Sequence, residues 1–95
     1  MFTTLQVRAA IRKAAKLHNV KLHKTSWTER ADKYSDYNDT RYIGFAIDAM
    51  FEERIAQQQL VISTANKLLG KDDNGQWAVR GDKHGYYIRA TAELA

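Results

Sequence analysis

The sequence predicts an α+β fold, a two-layer αββαββ sandwich in which two helices cover one face of a four-stranded antiparallel sheet. Two stretches repeat apolar residues at helical spacing, and four shorter stretches alternate apolar and polar residues as strands do. The alternation near the C-terminus leaves one side of the sheet to solvent. The chain has no Pro and no Gly/Ser-rich linker, so we expect a single domain over residues 1–95.

The first helix is predicted from about Thr4 to His18. Thr3 and Gln6 have the spacing of a capping box at its start, and Asn19 is suited to the left-handed residue that ends a helix. At about 100° per residue, one side of this helix is apolar and faces the core. The residues of that side include Val7, Ala10, Ile11, Ala14 and Leu17.

Two strands are expected to follow, at about Val20–Trp27 and Arg41–Ile47, paired with each other. Alternation of Ile43, Phe45 and Ile47 with smaller or polar residues supports the second strand. The polar segment Thr28–Thr40 between them is predicted to be a long loop or an exposed hairpin tip.

The second helix is predicted from about Ala49 to Leu69, with Asp48 as its N-cap and Gly70 as its stop. Acidic residues in its early turns agree with the helix dipole. Arg54 and Gln58 interrupt its apolar stripe, so the pattern is imperfect in the first half of this helix.

A hairpin is predicted to complete the sheet. Asn74-Gly75 is a turn signal, and strands are expected at about Gln76–Arg80 and Tyr86–Glu93. Tyr86, Ile88, Ala90 and Ala92 would face one side, towards the helices. The solvated face of the sheet would then carry Arg80, Tyr87 and Arg89.

Positive charge is concentrated at the N-terminus. Residues 1–24 contain six Lys or Arg and no acid, whereas residues 25–95 contain nine bases and eleven acids. Arg8, Arg12 and Lys16 share one face of the predicted helix, although each like-charged pair at this spacing costs roughly 0.2–0.5 kcal/mol. A charge arrangement that disfavours the isolated helix indicates an anionic partner, either outside the protein or among the acids of residues 29–39.

This pattern predicts a small basic non-enzymatic module that docks on nucleic acid or on a nucleoprotein complex. Closely spaced Lys and Arg neutralise phosphates and release counterions without reading base sequence. A second group on the sheet could stack and hold unpaired nucleotides. The predicted binding residues are Arg8, Arg12, Lys13, Lys16, Lys21 and Lys24 of the first group, with Arg80, Lys83, Tyr87 and Arg89 of the second.

Two alternatives come from other classes of protein. One is an accessory protein of a phage or mobile element that binds and inhibits a host or defence protein, because Tyr and Arg are also favoured anchors of protein interfaces. The other is a small ribonuclease or toxin that uses His84, Tyr87 and Arg89 for general acid–base chemistry. An open strand edge could also pair two copies into a homodimer.

Several functional classes are disfavoured by composition. The absence of Cys excludes disulfides, thiolate nucleophiles and Cys-type zinc sites. His18 and His23 lack a regular metal-binding spacing, and no phosphate-cradling glycine loop or Ser-His-Asp set is present. We therefore expect no metal, no cofactor and no enzymatic activity. The lack of a signal-peptide pattern and of a long apolar run predicts a cytoplasmic protein without a membrane partner.

Overall fold

The computed structural model describes residues 2–24, 27–30 and 40–93 and has an α+β fold. Its described elements are two helices and one four-stranded antiparallel sheet, as the sequence predicts, and the strand order is β1-β2-β4-β3. In chain order they are α1 (Thr4–Leu17), β1 (Trp27–Arg30), β2 (Thr40–Ala46), α2 (Phe51–Leu69), β3 (Val79–Gly81) and β4 (Tyr87–Glu93).

The core lies between the helices and one face of the sheet. Helix α1 contacts β2 and β4, while α2 contacts β3 and β4, and the two helices pack on each other. Alternate residues of the two central strands point into this layer and are buried, as the sequence pattern predicts. The buried residues include Val7 and Ile11 of α1, Ile43 and Phe45 of β2, Val61 of α2, and Ile88 and Ala90 of β4.

The boundaries of α1 follow from its caps. The backbone N–H of Gln6 donates to Thr3 Oγ1 at 3.2 Å, and the N–H of Thr3 donates to Gln6 Oε1 at 2.9 Å. This capping box satisfies two N–H groups at the helix start. Asn19 has φ +52°, and the N–H of Val20 then donates to Ala15 O at 2.8 Å. Both predicted ends of the helix are confirmed to within one residue.

The first predicted strand is wrong in position. In residues 20–24 the sheet-like pairing is a single isolated bridge between Leu22 and Ile47. Strand β1 begins at Trp27. Val20 is buried and Leu22 packs against the core, so the apolar residues that suggested a strand cover the end of the core. The start of the predicted loop, Thr28 to Arg30, is strand, and residues 31–39 lie outside the described part.

Helix α2 starts later than predicted. Its N-cap is Met50, which makes no side-chain cap, and its end at Leu69 with Gly70 at φ +82° is as predicted. The N–H of Asp48 donates to Lys21 O at 2.8 Å, which ties Asp48 to the segment of the Leu22–Ile47 bridge. Tertiary pairing therefore removes Asp48 from the predicted capping role.

Two buried side-chain amides tie α2 to the β3–β4 hairpin. Gln58 Nε2 donates to the carbonyls of Asp82 at 3.0 Å and Tyr87 at 2.8 Å. Asn66 Nδ2 donates to Val79 O at 3.0 Å, and Asn66 Oδ1 accepts from Val79 N at 2.9 Å. The polar interruption at Gln58 is therefore a satisfied contact inside the core, which agrees with the rule that buried polar groups are hydrogen-bonded.

Candidate nucleic-acid interface

Helix α1 presents exposed cations. Arg12, Lys13 and Lys16 are exposed, and Arg8 is half-buried. In the described ranges, none of these four makes an ion pair with a carboxylate. The side chains of residues 29–39, whose acids the sequence offered as internal partners, lie outside the described part. Neutralisation of the helix within the fold by that segment stays a prediction.

Two of the helix arginines lean towards the sheet. The guanidinium of Arg8 donates a hydrogen bond to Thr28 Oγ1 on β1. The guanidinium carbon of Arg12 lies 5.5 Å from the centroid of the Phe45 ring, within cation–π range. The expected solvent-facing stripe is therefore interrupted at Arg8, because Arg8 is half-buried and hydrogen-bonded to β1. Both contacts use neutral partners, so the positive charge is retained.

The cations after α1 differ in their surroundings. Lys21 Nζ lies 3.4 Å from Asp48 Oδ2, and the Lys21 side chain is 79% exposed. Such a surface pair contributes only about 0–1 kcal/mol, but it offsets part of the charge that the sequence assigned to binding. Lys24 is exposed. Among the described residues, the most available cations of this segment are therefore Arg12, Lys13 and Lys16 of α1 together with Lys24.

The sheet face opposite the helices carries a row of four aligned residues. Trp27 pairs with Gly44, Gly44 with Arg89, and Arg89 with Arg80, so the row crosses β1, β2, β4 and β3. We call these four residues the outer row. Neighbouring strands are about 4.8 Å apart, which places the backbones of its ends roughly 14 Å apart.

Gly44 makes room for the indole of Trp27. A Cβ placed on Gly44 would lie 2.1 Å from Trp27 Cζ2, so the ring rests directly on the glycine backbone. Sequence reasoning missed Trp27 as a site residue because it assigned this residue to the end of a misplaced strand. A glycine inside a strand was the available signal, since it often marks close approach by another group.

A cavity of about 400 Å³ opens on this face and contains most of the outer row. Its volume lies in the range of small-ligand sites. It brings together two predicted residues, Arg80 and Arg89, with two aromatics that were not predicted, Trp27 and Tyr42. Asp82 and Thr91 also line it. Lys83 is exposed in the hairpin turn and is not among the lining residues.

Tyr87 supports the cavity without lining it. Its ring is half-buried and meets Trp27 edge to face, with centroids 6.4 Å apart and an interplanar angle of 78°. The guanidinium carbon of Arg89 lies 5.2 Å from the Tyr87 centroid. These contacts fix the directions of one aromatic and one cation of the outer row. Tyr87 thus contacts two residues of the outer row, and its direct part in binding stays a prediction.

The carboxylate of Asp82, the acid in the cavity, accepts hydrogen bonds from the backbone of its own hairpin. Burial of its carboxyl alone would raise its pKa, but accepted backbone hydrogen bonds outweigh burial, so the pKa lies below its ordinary value. The backbone N–H donors belong to Tyr87, His84, Asp82 itself and Tyr86. The shortest of these bonds runs from Tyr87 N to Asp82 Oδ1 at 2.7 Å. In the described chain, this carboxylate forms no ion pair with Arg80 or Arg89.

Among the described residues suggested for catalysis or metal binding, Tyr87 and Arg89 contact each other, but no histidine is hydrogen-bonded to them. His84 is exposed in the hairpin turn, and its backbone N–H donates to Asp82 Oδ2, but its ring makes no hydrogen bond to Tyr87 or Arg89. His18 Nε2 lies 2.6 Å from Thr64 Oγ1 on α2. Among the described residues, no group of three His, Cys, Asp or Glu could hold a metal. Neither described helix has the length and apolarity needed to cross a membrane.

Comparison with known proteins returns no match to a family model, to a curated protein or to a solved structure.

Proposed function

We propose that this protein is a small non-enzymatic module that docks on nucleic acid, or on a nucleoprotein complex, through α1. The proposal is carried by the exposed Arg12, Lys13 and Lys16, which have no carboxylate partner within the described residues. A patch of this kind binds phosphates through counterion release, which requires charge density and no particular motif. Such contacts orient a protein on the backbone without specifying base sequence. Together with the absence of Cys, this function favours a cytoplasmic location.

The test is the salt dependence of binding to a 20-base-pair DNA duplex. If the six cations of residues 1–24 each meet a phosphate, log affinity falls against log salt with a slope of about −5. Because Arg8 and Lys21 already have contacts inside the fold, a slope of about −3 to −4 also agrees with the proposal. A slope near zero, or no binding at 50 mM salt, would overturn it.

Charge reversal locates the interface. Arg12→Glu combined with Lys16→Glu changes the net charge by the same amount as Lys67→Glu combined with Lys71→Glu, which places the change at the end of α2. We expect the first pair to weaken duplex binding at least tenfold more than the control pair. Equal losses would mean that net charge alone, and not α1, determines binding.

A second candidate function, the binding and inhibition of a host protein, is favoured by a different surface. Met50, Phe51 and Ile55, at the start of α2, are exposed by 76%, 65% and 41%. Arg54 lies between two rings there, with its guanidinium carbon 5.1 Å from the Phe51 centroid and 4.4 Å from that of Tyr86. Aromatic, Met and Arg side chains held in place in this way are typical anchors of protein interfaces.

This candidate is tested by pull-down from host lysate treated with nuclease. A stoichiometric protein partner that is retained by the Arg12→Glu/Lys16→Glu variant and lost by Phe51→Ser would favour it over nucleic-acid docking. Sedimentation of the purified protein over a range of concentrations separates a host partner from a second copy of the chain.

A further inference from the structure

We propose that the outer face of the sheet is a second binding site, which takes an unpaired nucleotide of a single-stranded nucleic acid. This site shares its class of ligand with the proposed function but uses the opposite layer of the fold. In it, a base would stack on the aromatic side of the cavity, at Trp27 and Tyr42, and the adjoining phosphate would meet Arg89 and Arg80.

The aromatic half of the site is preformed. The indole of Trp27 lies against Gly44 and makes a T-shaped contact with the Tyr87 ring, so it has little freedom to lose on binding. Tyr42 is the residue two before Gly44 on the same strand and the same face, and it is 40% exposed. Bases stack on such rings with little regard to sequence, because every base has a π-face.

The cationic half carries an uncompensated charge. Arg80 and Arg89 are directly opposite on β3 and β4, and both are exposed. Like charges in directly opposite positions destabilise a sheet. In the described ranges neither has an ion-pair partner, and the carboxylate of Asp82 is engaged by the backbone of its hairpin. An arriving phosphate would relieve this repulsion, and guanidinium groups suit phosphate geometry.

The spacing of the outer row matches one nucleotide. Gly44, over which the indole lies, is one strand from Arg89 and two strands from Arg80, roughly 5 and 10 Å in the backbone. A base stacked over the indole therefore has one guanidinium, that of Arg89, within reach of its own phosphate. A second guanidinium, that of Arg80, lies further along the bound strand. A duplex cannot use the aromatic half, because its bases are stacked on each other.

The experiment uses the full chain with Trp77→Phe, which leaves Trp27 as the tryptophan reporter. Trp77 is 48% exposed and does not line the cavity. Titration with an eight-nucleotide oligothymidine should quench Trp27, and the same strand in a duplex should not. An oligouridine of equal length tells RNA from DNA. Absence of quenching with both single strands at saturating concentration would overturn the proposal, as would equal quenching by the duplex.

Two sets of variants identify the parts of the site. Trp27→Leu should weaken binding of the single strand about tenfold or more. Arg80→Gln with Arg89→Gln should reduce the salt slope by about 1.4, since each contact with a single strand contributes roughly 0.7. The control, Lys67→Gln with Lys71→Gln, removes the same charge at exposed positions outside the cavity and should leave the slope nearly unchanged. Unchanged slopes in the arginine variant would overturn the proposal, even if Trp27→Leu fails to fold.

The same assays separate this site from the one on α1. Loss of duplex binding in Arg12→Glu/Lys16→Glu, with quenching by the single strand retained, supports two independent sites. If wild type fails to bind duplex but the single strand quenches Trp27 and responds to the arginine variant, the proposed function of α1 falls while the outer-face site stands. If Arg12→Glu/Lys16→Glu loses quenching by the single strand to the same extent as the Trp27 and Arg80/Arg89 variants, the proposal of a separate outer-face site is overturned.

Discussion

Arg80 and Arg89 are directly opposite each other on neighbouring strands, and neither side chain has a carboxylate partner within the described residues. Two positive charges in this arrangement favour the unfolded chain, in which they separate. A fold that keeps such a pair on an exposed face loses stability at the proposed outer-face site, a trade-off common at functional sites.

We predict that Arg80→Gln stabilises the protein. Removing one member of the pair should raise the free energy of unfolding by about 0.2–1 kcal/mol at low salt. The gain should shrink at 1 M salt, where the Debye length is about 3 Å. Urea unfolding at both salt concentrations measures it. Lys83→Gln, a change of equal charge in the adjacent turn, should show a smaller effect. A clear destabilisation by Arg80→Gln would contradict the repulsion.

Asp82 should make stability depend on pH. Its pKa is lower in the folded protein than in the unfolded chain, so the contribution of its charge is complete above the unfolded value of about 3.9 and is lost as pH falls through the folded value. Asp82→Asn should therefore lower the free energy of unfolding at pH 7 by about 1–3 kcal/mol.

The deficit of Asp82→Asn should shrink as pH falls below the unfolded value of about 3.9, because the charge of Asp82 then contributes less to the stability of wild type. Urea titrations across this range provide the measurement. The matched control is Asp48→Asn, which removes an exposed acid and should cost no more than about 1 kcal/mol. A deficit that is the same at pH 7 and pH 2 would show that the charge of Asp82 is not what stabilises the hairpin.

Asn66→Ala should destabilise the fold. The substitution leaves the buried N–H and C=O groups of Val79 without partners, at a cost of about 2–4 kcal/mol for the two groups. Thermal or urea unfolding provides the measurement, and Lys67→Ala, an exposed neighbour on α2, is the control. Because the two bonds run in opposite directions, Asn66→Asp should also destabilise, since a carboxylate cannot donate to Val79 O. A fully stable Asn66→Asp variant would contradict the geometry.

Gly44→Ala should displace the indole of Trp27. The added Cβ would lie 2.1 Å from a ring carbon, well inside contact distance, so the ring must move. In a Trp77→Phe background, we expect a shift in the emission of Trp27 and a loss of about 1–3 kcal/mol of stability. In a Trp27→Leu background the same substitution should cost much less. An equal cost in the two backgrounds would mean that the indole does not rest on Gly44.

The parts of the fold that the sequence predicts well are those with local causes. The capping box of Thr3 and Gln6, the left-handed Asn19 and the glycine stop of α2 depend on neighbours within a turn, and they appear where expected. The strand at Val20–Trp27 failed because an apolar run can equally cover the end of a core. Asp48 failed as a cap because its backbone pairs with the distant segment before β1.

The residues of the candidate sites likewise include some that the local sequence predicts and some whose positions depend on tertiary contacts. The cations of α1 follow from composition and helical spacing, and Arg80 and Arg89 follow from strand alternation. Their proximity to Trp27 could not be predicted, because it depends on the register between β1 and β2 and on a strand that begins seven residues later than expected. Gln58 interrupts the amphipathic pattern of α2, and the reason lies in tertiary structure. Its side-chain amide donates to three acceptors on the β3–β4 hairpin, two carbonyls and one carboxylate oxygen.

The bonds between Asn66 and the backbone of Val79 also have a consequence for assembly. The amide of Asn66 bonds both the N–H and the C=O of Val79, a residue of the edge strand β3. These backbone groups are therefore not available for pairing with a strand of another chain. Among the described residues, extension of the sheet at Val79, whether into a dimer or into a fibril, would first have to displace Asn66.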